Sequence, residues 1–490
     1  MLIKKQTHKN TPVRSLITSA ITLVLACAAL KVSYAQEVEF TPYISASESY
    51  TDNVNGSENN RDSDFYTTLA AGFKSSVEGN HVSFDADYDF MYDHYQQTDN
   101  ASGVRHNLLA DGTAELVDKW LIFDAKVAVS QEDLTNFGGT TAGDRNGLSD
   151  QTVVINYEFG PSLVHRLGGF GDVRLDYRYS AVDFRDADVG STGNQPASSD
   201  THSIETALDS GDDFRILTWG LFASYADITQ DAQTAGGTDR ESSQANADAE
   251  INYHFDNRFY GIGRIGYDDV DDDNINNSKN GAYYFAGAGI TGGNRLAAEI
   301  TYGKRYDEGL LDANISYRPT ERTFFGFTHH TSVQTQQQQI ANQNIRDING
   351  NLVNPNALNS TFVDETVKST SSEFNFTHTR ARTGYGVRVG LEERDFFSDN
   401  TEDQSLYITA DVTHLLQRDL EAGIDVSYSD TLETRNANTD QSVSRIGGFL
   451  SYNATETLFT SVSYDYFDRQ DDTGGDIYEN LIRINLIKEF

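Results

Sequence analysis

Apolar and polar residues alternate along almost the whole chain with a period of two. Between His81 and Tyr92, one set (Val82, Phe84, Ala86, Tyr88, Phe90, Tyr92) is apolar and aromatic. The other (Ser83, Asp85, Asp87, Asp89, Met91) carries three aspartates. Successive side chains of a strand point to opposite faces, so this segment reads as a strand with one greasy and one charged side. In hydrocarbon each aspartate would cost roughly 2–3.5 kcal/mol, which assigns the Tyr/Phe face to lipid and the Asp face to water. The rule repeats down the chain. Val173, Leu175, Tyr177 and Tyr179 oppose Arg174, Asp176 and Arg178. Inward sets elsewhere hold Asp248, Glu250, Asn252 and His254, then Ala297, Glu299 and Thr301.

Ten short polar turns, from Glu78-Gly79-Asn80 to Asn453-Ala454-Thr455, carry the Gly, Asn and Asp that tight hairpins need. Longer polar loops, such as 133–150, 185–200, 231–240 and 336–368, alternate with them strictly. Ten turns and two free ends predict about 22 strands, within a range of about 18–22. The expected fold is all-β: a transmembrane antiparallel up-and-down β-barrel with short periplasmic turns and long extracellular loops. A soluble solenoid would need a fixed repeat, and the turn spacing is too irregular for one. The last strand, Tyr478 to Phe490, keeps Tyr478, Ile482, Ile484, Leu486 and Phe490 on one face. Its terminal Phe490 resembles the signal read by the bacterial barrel-assembly machinery. Lys488 interrupts the pattern, and its long side chain can snorkel to the interface.

Residues 1–35 stand apart. Lys4, Lys5, Lys9 and Arg14 precede an uncharged run from Leu16 to Leu30, and Ser33-Tyr34-Ala35 offers a small-x-small cleavage site. This is the form of a secretory signal peptide, leaving 36–490 as an outer-membrane barrel. Only a handful of residues separate Gln36 from the first expected strand, so no plug domain is expected before it. Cys27, the one cysteine, lies in the leader, so disulfide scaffolds, thiolate metal sites and cysteine nucleophiles are excluded from the mature chain. Losing five Lys/Arg with the leader leaves 32 basic against 74 acidic residues, a net charge of −42. Such a surface repels nucleic acid. The hydrophobic fraction of 38% is low for a packed globule of this length, but suits strands with a single apolar face.

Phe40-Thr41-Pro42-Tyr43 followed by Glu48-Ser49-Tyr50-Thr51-Asp52-Asn53-Val54 resembles the signature of the β-barrel porin family associated with PEP-CTERM/exosortase systems. The similarity continues through Asp87-Tyr88-Asp89, Leu108 to Val117 and Phe123 to Gln131. The resemblance implies an outer-membrane barrel that accompanies exopolysaccharide production, and it brings no catalytic residues.

The motifs add little chemistry. Gly261-Ile262-Gly263-Arg264-Ile265-Gly266 and Gly287-Ala288-Gly289-Ile290-Thr291-Gly292 fit G-x-G-x-x-G, but no helix follows to receive a phosphate, so small residues easing barrel curvature are the expected role. Asp268 to Asn274 reads as an acidic outer loop, without the spacing of an EF-hand. His329 and His330 point to opposite faces of a strand and cannot share a metal. His330, placed on the outward set with Phe324 and Gly326, is the one candidate for a lipid-modifying barrel enzyme.

The inward charged row is the main functional signal. Its pore-lining candidates are Asp85, Asp87, Asp89, Asp111, Glu115, Arg174, Asp176, Arg178, Asp248, Glu250, Glu299, Arg388 and Glu392, with Asp124, Lys126, Asp411 and Asp425 beside them. They are expected to line a passive porin-like channel favouring cations and small polar or oligosaccharide solutes. The alternative is a salt-bridged, non-conducting barrel whose acidic loops bind divalent cations or matrix polysaccharide. No enzyme activity and no cofactor are expected. Expected partners are outer-membrane lipid with lipopolysaccharide, the assembly machinery and polysaccharide. The loop 336–368 either folds inward as a constriction or stands outside.

Overall fold

A computed structural model of the chain describes residues 35–490 apart from 99–101, 134–150, 186–195, 233–237, 273–278, 292, 294, 347–351, 353–363, 400, 436–440 and 472–474. The expected leader lies outside the described residues except for Ala35, which opens the first strand. Twenty-two strands follow one another in order. The first eight are β1 (Ala35–Thr51), β2 (Asp64–Gly79), β3 (Val82–Tyr95), β4 (Gly103–Val117), β5 (Leu121–Asp133), β6 (Gln151–Arg166), β7 (Gly171–Arg185) and β8 (Ser199–Ser210). Then come β9 (Leu217–Gln230), β10 (Arg240–His254), β11 (Phe259–Asp272), β12 (Lys279–Thr291), β13 (Leu296–Arg305), β14 (Glu308–Thr320) and β15 (Thr323–Thr335). The last seven are β16 (Thr366–Arg380), β17 (Thr383–Phe396), β18 (Glu402–Gln417), β19 (Leu420–Glu433), β20 (Gln441–Thr455), β21 (Leu458–Asp471) and β22 (Ile477–Glu489). Each pairs antiparallel with its neighbours, and β1 pairs with β22 to close the ring.

The wall is inside out relative to a soluble fold. Ile44, Leu69, Ile265, Tyr302, Ile424 and Ile484 are exposed on the outer face, while the inner face is polar. Large apolar side chains left in contact with the surroundings at this density are stable only against lipid. The period-two pattern therefore sets the fold directly: one face for the bilayer, one for water.

Closure is reinforced at the outer end by Thr51-Asp52-Asn53. Thr51 donates to Glu479, Asp52 accepts from the Asn480 backbone N–H at 2.8 Å, and the Asn53 amide donates to the Tyr478 carbonyl at 3.1 Å. Val54 then packs with Tyr66, Tyr95 and Leu481. The residues that carry the family resemblance thus staple the first strand to the last.

Two expectations about connections need correction. Short and long connections do not alternate strictly, because β13 and β14 meet at the extracellular side in a two-residue turn, Tyr306-Asp307, with φ of 55° and 66°. Both central residues of a tight hairpin turn need positive φ, which non-glycine residues adopt only at some cost. Asp268 to Asp272 are not loop either: they are the outer end of β11. Asp268 there bonds Arg305 at 2.7 Å and Asp272 accepts from the Arg240 Nε at 2.9 Å, so alternate carboxylates face the lumen. Asp273 and Asn274 fall outside the described residues.

Candidate functional site

The pore-lining candidates all belong to the inward-facing set, but few of them are free. Asp176 lies 2.7 Å from Arg174, and Arg178 reaches Asp124 at 3.0 Å. Glu250 is held by Arg264 at 2.6 Å, and Arg388 lies 3.8 Å from Glu373. Glu392 is buried and accepts from Ser369 at 3.0 Å. Glu115 sits at the periplasmic mouth, where it accepts the Lys119 N–H and meets His81 at 2.7 Å. It lies at the rim, not along the middle of the passage.

A repeated arrangement holds three further acids and Glu373 again. Tyr43 on β1 lies over Gly72 on β2, and its hydroxyl donates to Asp89 on β3. Tyr260, Gly289 and Glu299 repeat this across β11, β12 and β13, with an O···O distance of 3.2 Å. Tyr283, Gly266 and Asp248 do so in the other direction, again at 3.2 Å. Tyr407, Gly390 and Glu373 form the fourth, at 2.6 Å. In each triple the three residues are directly opposite one another across two seams. The glycine leaves room for the ring to lie on the wall, and the hydroxyl finds an acid one strand further on. Where the ring is phenylalanine, the third residue is not acidic: Phe449 over Gly423 leads to Thr413, and Phe285 over Gly303 leads to Leu310. Gly266 and Gly289, one from each G-x-G-x-x-G match, are seats for tyrosine rings.

The loop after β15 folds inward. It begins with helix α1 (Gln336–Asn342), whose N-terminus is closed reciprocally by the Thr335 and Gln338 side chains. Ile340 and Ala341 pack against Val154, Val182 and Phe184 of β6 and β7. Lys126 donates to the Ala341 carbonyl at 2.5 Å, and Asn156 to that of Ile340 at 2.9 Å. Arg346 then bonds Asp85 on β3 at 2.6 Å and Asp111 on β4 at 3.0 Å. In a ring of 22 strands, β4 lies eleven strands from β15 by either route. The segment 336–346 therefore spans the lumen and is anchored on the far wall. Of the two placements left open, the inward one holds for these residues.

The opposite part of the wall stays accessible. Asp411 on β18 and Asp425 on β19 face each other directly across one seam, and both are exposed to the lumen. Asp465 on β21 stands at the same level beyond Gly447. Like charges directly opposite destabilise a sheet, so the Asp411–Asp425 pair costs stability unless mobile cations screen it, whereas Asp465 has Arg445 and Arg483 close by.

His330 was expected on the lipid side and is not. The register pairs His329 with Ala313 and Ser372 on the outer face, while His330 turns inward, 3.6 Å from Asp312. Phenylalanines at 324, 325 and 327 occupy both faces of β15, so its alternation does not announce which set faces lipid.

No protein-family model matches the chain, and no curated protein matches it. Among solved structures it is similar to the siderophore receptor PirA from Acinetobacter baumannii, with a TM-score of 0.54 and 8% identity over 93% of this chain and 81% of that one. It is also similar to the FrpB iron transporter from Neisseria meningitidis (F5-1 variant), with a TM-score of 0.54 and 11% identity over 93% and 83%. At such identities the likeness is one of fold. The closed ring, the apolar outer wall and this likeness make the chain a 22-stranded β-barrel of a Gram-negative outer membrane.

Proposed function

We propose that the barrel is a passive, porin-like channel for cations and small polar or saccharide solutes, narrowed by the segment 336–346. The observation that carries this reading is the unequal lumen. One wall is covered by the anchored segment, and the other carries the row Asp411, Asp425 and Asp465, of which Asp411 and Asp425 are exposed to the lumen. Solutes that pass would do so along the open side, where the carboxylates concentrate cations. The link to exopolysaccharide rests on the family resemblance of Phe40 to Val54. Swelling of liposomes loaded with the purified barrel tests the reading. Influx of monosaccharides is expected, falling steeply as oligosaccharide length grows, whereas swelling no faster than in empty liposomes counts against a channel.

A second reading, a surface-binding barrel, draws on the outward carboxylates near the extracellular ends of the strands, such as Asp269, Asp271, Glu393 and Asp395. Binding of the folded protein to matrix polysaccharide that persists in calcium chelator would remove the cation-bridged form of that idea.

We also retain Phe490 as an assembly signal. Its ring is exposed, and its backbone N–H donates to the Pro42 carbonyl at 3.0 Å, a bond that any residue could make. Phe490→Ala is therefore expected to lower the amount of barrel assembled in cells severalfold while leaving the melting of refolded protein unchanged. Equal assembly of both forms in cells would show that the ring is not read.

A further inference from the structure

At most seams the main-chain ladder runs to within a residue of the outer end of the shorter strand. Two seams part early: β4–β5 above the pair Leu108–Val129, and β14–β15 above the pair Ala313–His329. At the first, Ser130, Gln131 and Glu132 of β5 are engaged in other interactions. At the second, the same register would set Glu308–Asp312 against 330–334, and no ladder pair forms among them. Five residues make an opening about 16 Å long.

The geometry explains the parting. The two-residue turn at Tyr306-Asp307 makes β13 and β14 a hairpin that ends low on the wall, paired to each other up to Arg305–Glu308. β15 instead stays paired with β16 up to Thr335–Thr366 and then runs into the inward helix. One strand follows the hairpin and the other follows the segment that crosses the lumen. Only side chains bridge the gap. His330 approaches Asp312 to 3.6 Å at its base, and Lys368 reaches from β16 to Glu308 at 2.5 Å while holding Asp395 at 2.7 Å.

The level of the opening identifies what it faces. Tyr302 and Leu311 are cross-strand partners on the outer face, both exposed, and Lys304 is the next outward residue above Tyr302. An aromatic with a lysine above it marks the edge of the apolar belt. The parted seam therefore starts at the boundary between acyl chains and headgroups. Its inner flank carries Asp312 and Ser332, its outer flank Leu311 and Val333, and the strand edges between them present unpaired N–H and C=O groups. Such edges are not stable against pure hydrocarbon and suit a molecule with a polar and an apolar part.

Building on the channel reading, we propose that the parted β14–β15 seam is a lateral port through which an acyl-chain amphiphile passes between the outer leaflet and the lumen. Because Cys27 is the one cysteine of the chain and precedes the described barrel, its replacement leaves single-cysteine labels as a clean test. Bimane is placed at Ser332→Cys (inner flank), Val333→Cys (outer face) and Ser427→Cys (inner face of fully paired β19). Each protein is reconstituted in phosphatidylcholine vesicles containing phosphatidylcholine with a nitroxide on its acyl chain. Position 332 is expected to be quenched as strongly as 333 and far more than 427. Quenching at 332 no greater than at 427 overturns the port. Quenching at 332 by aqueous iodide but not by the lipid nitroxide also overturns it, since the slot then holds water alone. Hydrogen exchange on the unsubstituted protein gives an independent reading. Amides of 308–312 and 330–334 directed into the seam should exchange as fast as those of loops, and protection equal to the flanking ladders contradicts the parting. Neither measurement depends on conductance, so failure of the port and failure of the channel reading are seen separately.

Discussion

Arg346→Ala is expected to raise the conductance of the barrel and to strengthen its preference for cations. The Arg346 guanidinium is the last described anchor of the crossing segment, bonded to Asp85 at 2.6 Å and to Asp111 at 3.0 Å on the far wall. Hydrogen bonds to charged groups contribute about 1.5–3 kcal/mol, and the part-exposed setting favours the lower end of that range. Losing about 1.4 kcal/mol raises the detached population about tenfold. The apolar seat of Ile340 and Ala341 on Val154, Val182 and Phe184 remains, so the segment should loosen at its far end first. Removal of the cation also leaves two carboxylates uncompensated where the passage is narrow. Single-channel recording should show a larger and noisier open level, with Arg346→Lys intermediate, because lysine keeps the charge but loses the planar fork. A folded Arg346→Ala barrel with the conductance of the parent would mean that the segment does not control the passage.

Gly390→Val is expected to abolish or severely reduce the folded barrel. A Cβ at this position would stand 2.1 Å from the Tyr407 ring, which lies flat against the wall at that point. The ring would have to swing into the lumen, breaking its bond to Glu373. Overpacking costs about 1–3 kcal/mol, and leaving the carboxylate without its donor adds about 1–3 kcal/mol. Tyr407→Phe separates the two effects: it keeps the ring on the glycine and removes the hydroxyl alone, so a smaller loss is expected. The heat-resistant folded band on electrophoresis reports the outcome. If Gly390→Val folded as well as the parent, the ring-on-glycine joint would have no structural weight.

The strands and their faces were legible because alternation is a local signal. Val82 to Tyr92 shows it within a dozen residues, and the lipid-facing and lumen-facing sets of β3 follow from it without any tertiary information. Other features depend on partners far away in sequence. Nothing near Tyr43 announces that Gly72 and Asp89 stand beside it, since that depends on the register of two seams. The inward turn of 336–346 depends on Asp85, Asp111 and Lys126, more than 200 residues earlier. One local signal does announce the helix: Thr335 followed by Gln338 has the form of a capping box, which marks a helix start within the long polar loop. The tight turn at Tyr306-Asp307 was hidden because it lacks the Asn-Gly or Asp-Gly pair that normally supplies positive φ. The inward face of His330 is hidden for a related reason: a strand with phenylalanine on both faces carries no alternation to read.

An open passage would take its ion preference from the inward carboxylates. Reversal potential in a planar bilayer under a potassium chloride gradient tests it most directly. Steady single-channel conductance is expected, with a potential of cation-favouring sign that is reduced when Asp411, Asp425 and Asp465 are changed together to asparagine. A correctly folded barrel that stays silent, or one that favours chloride, would contradict it.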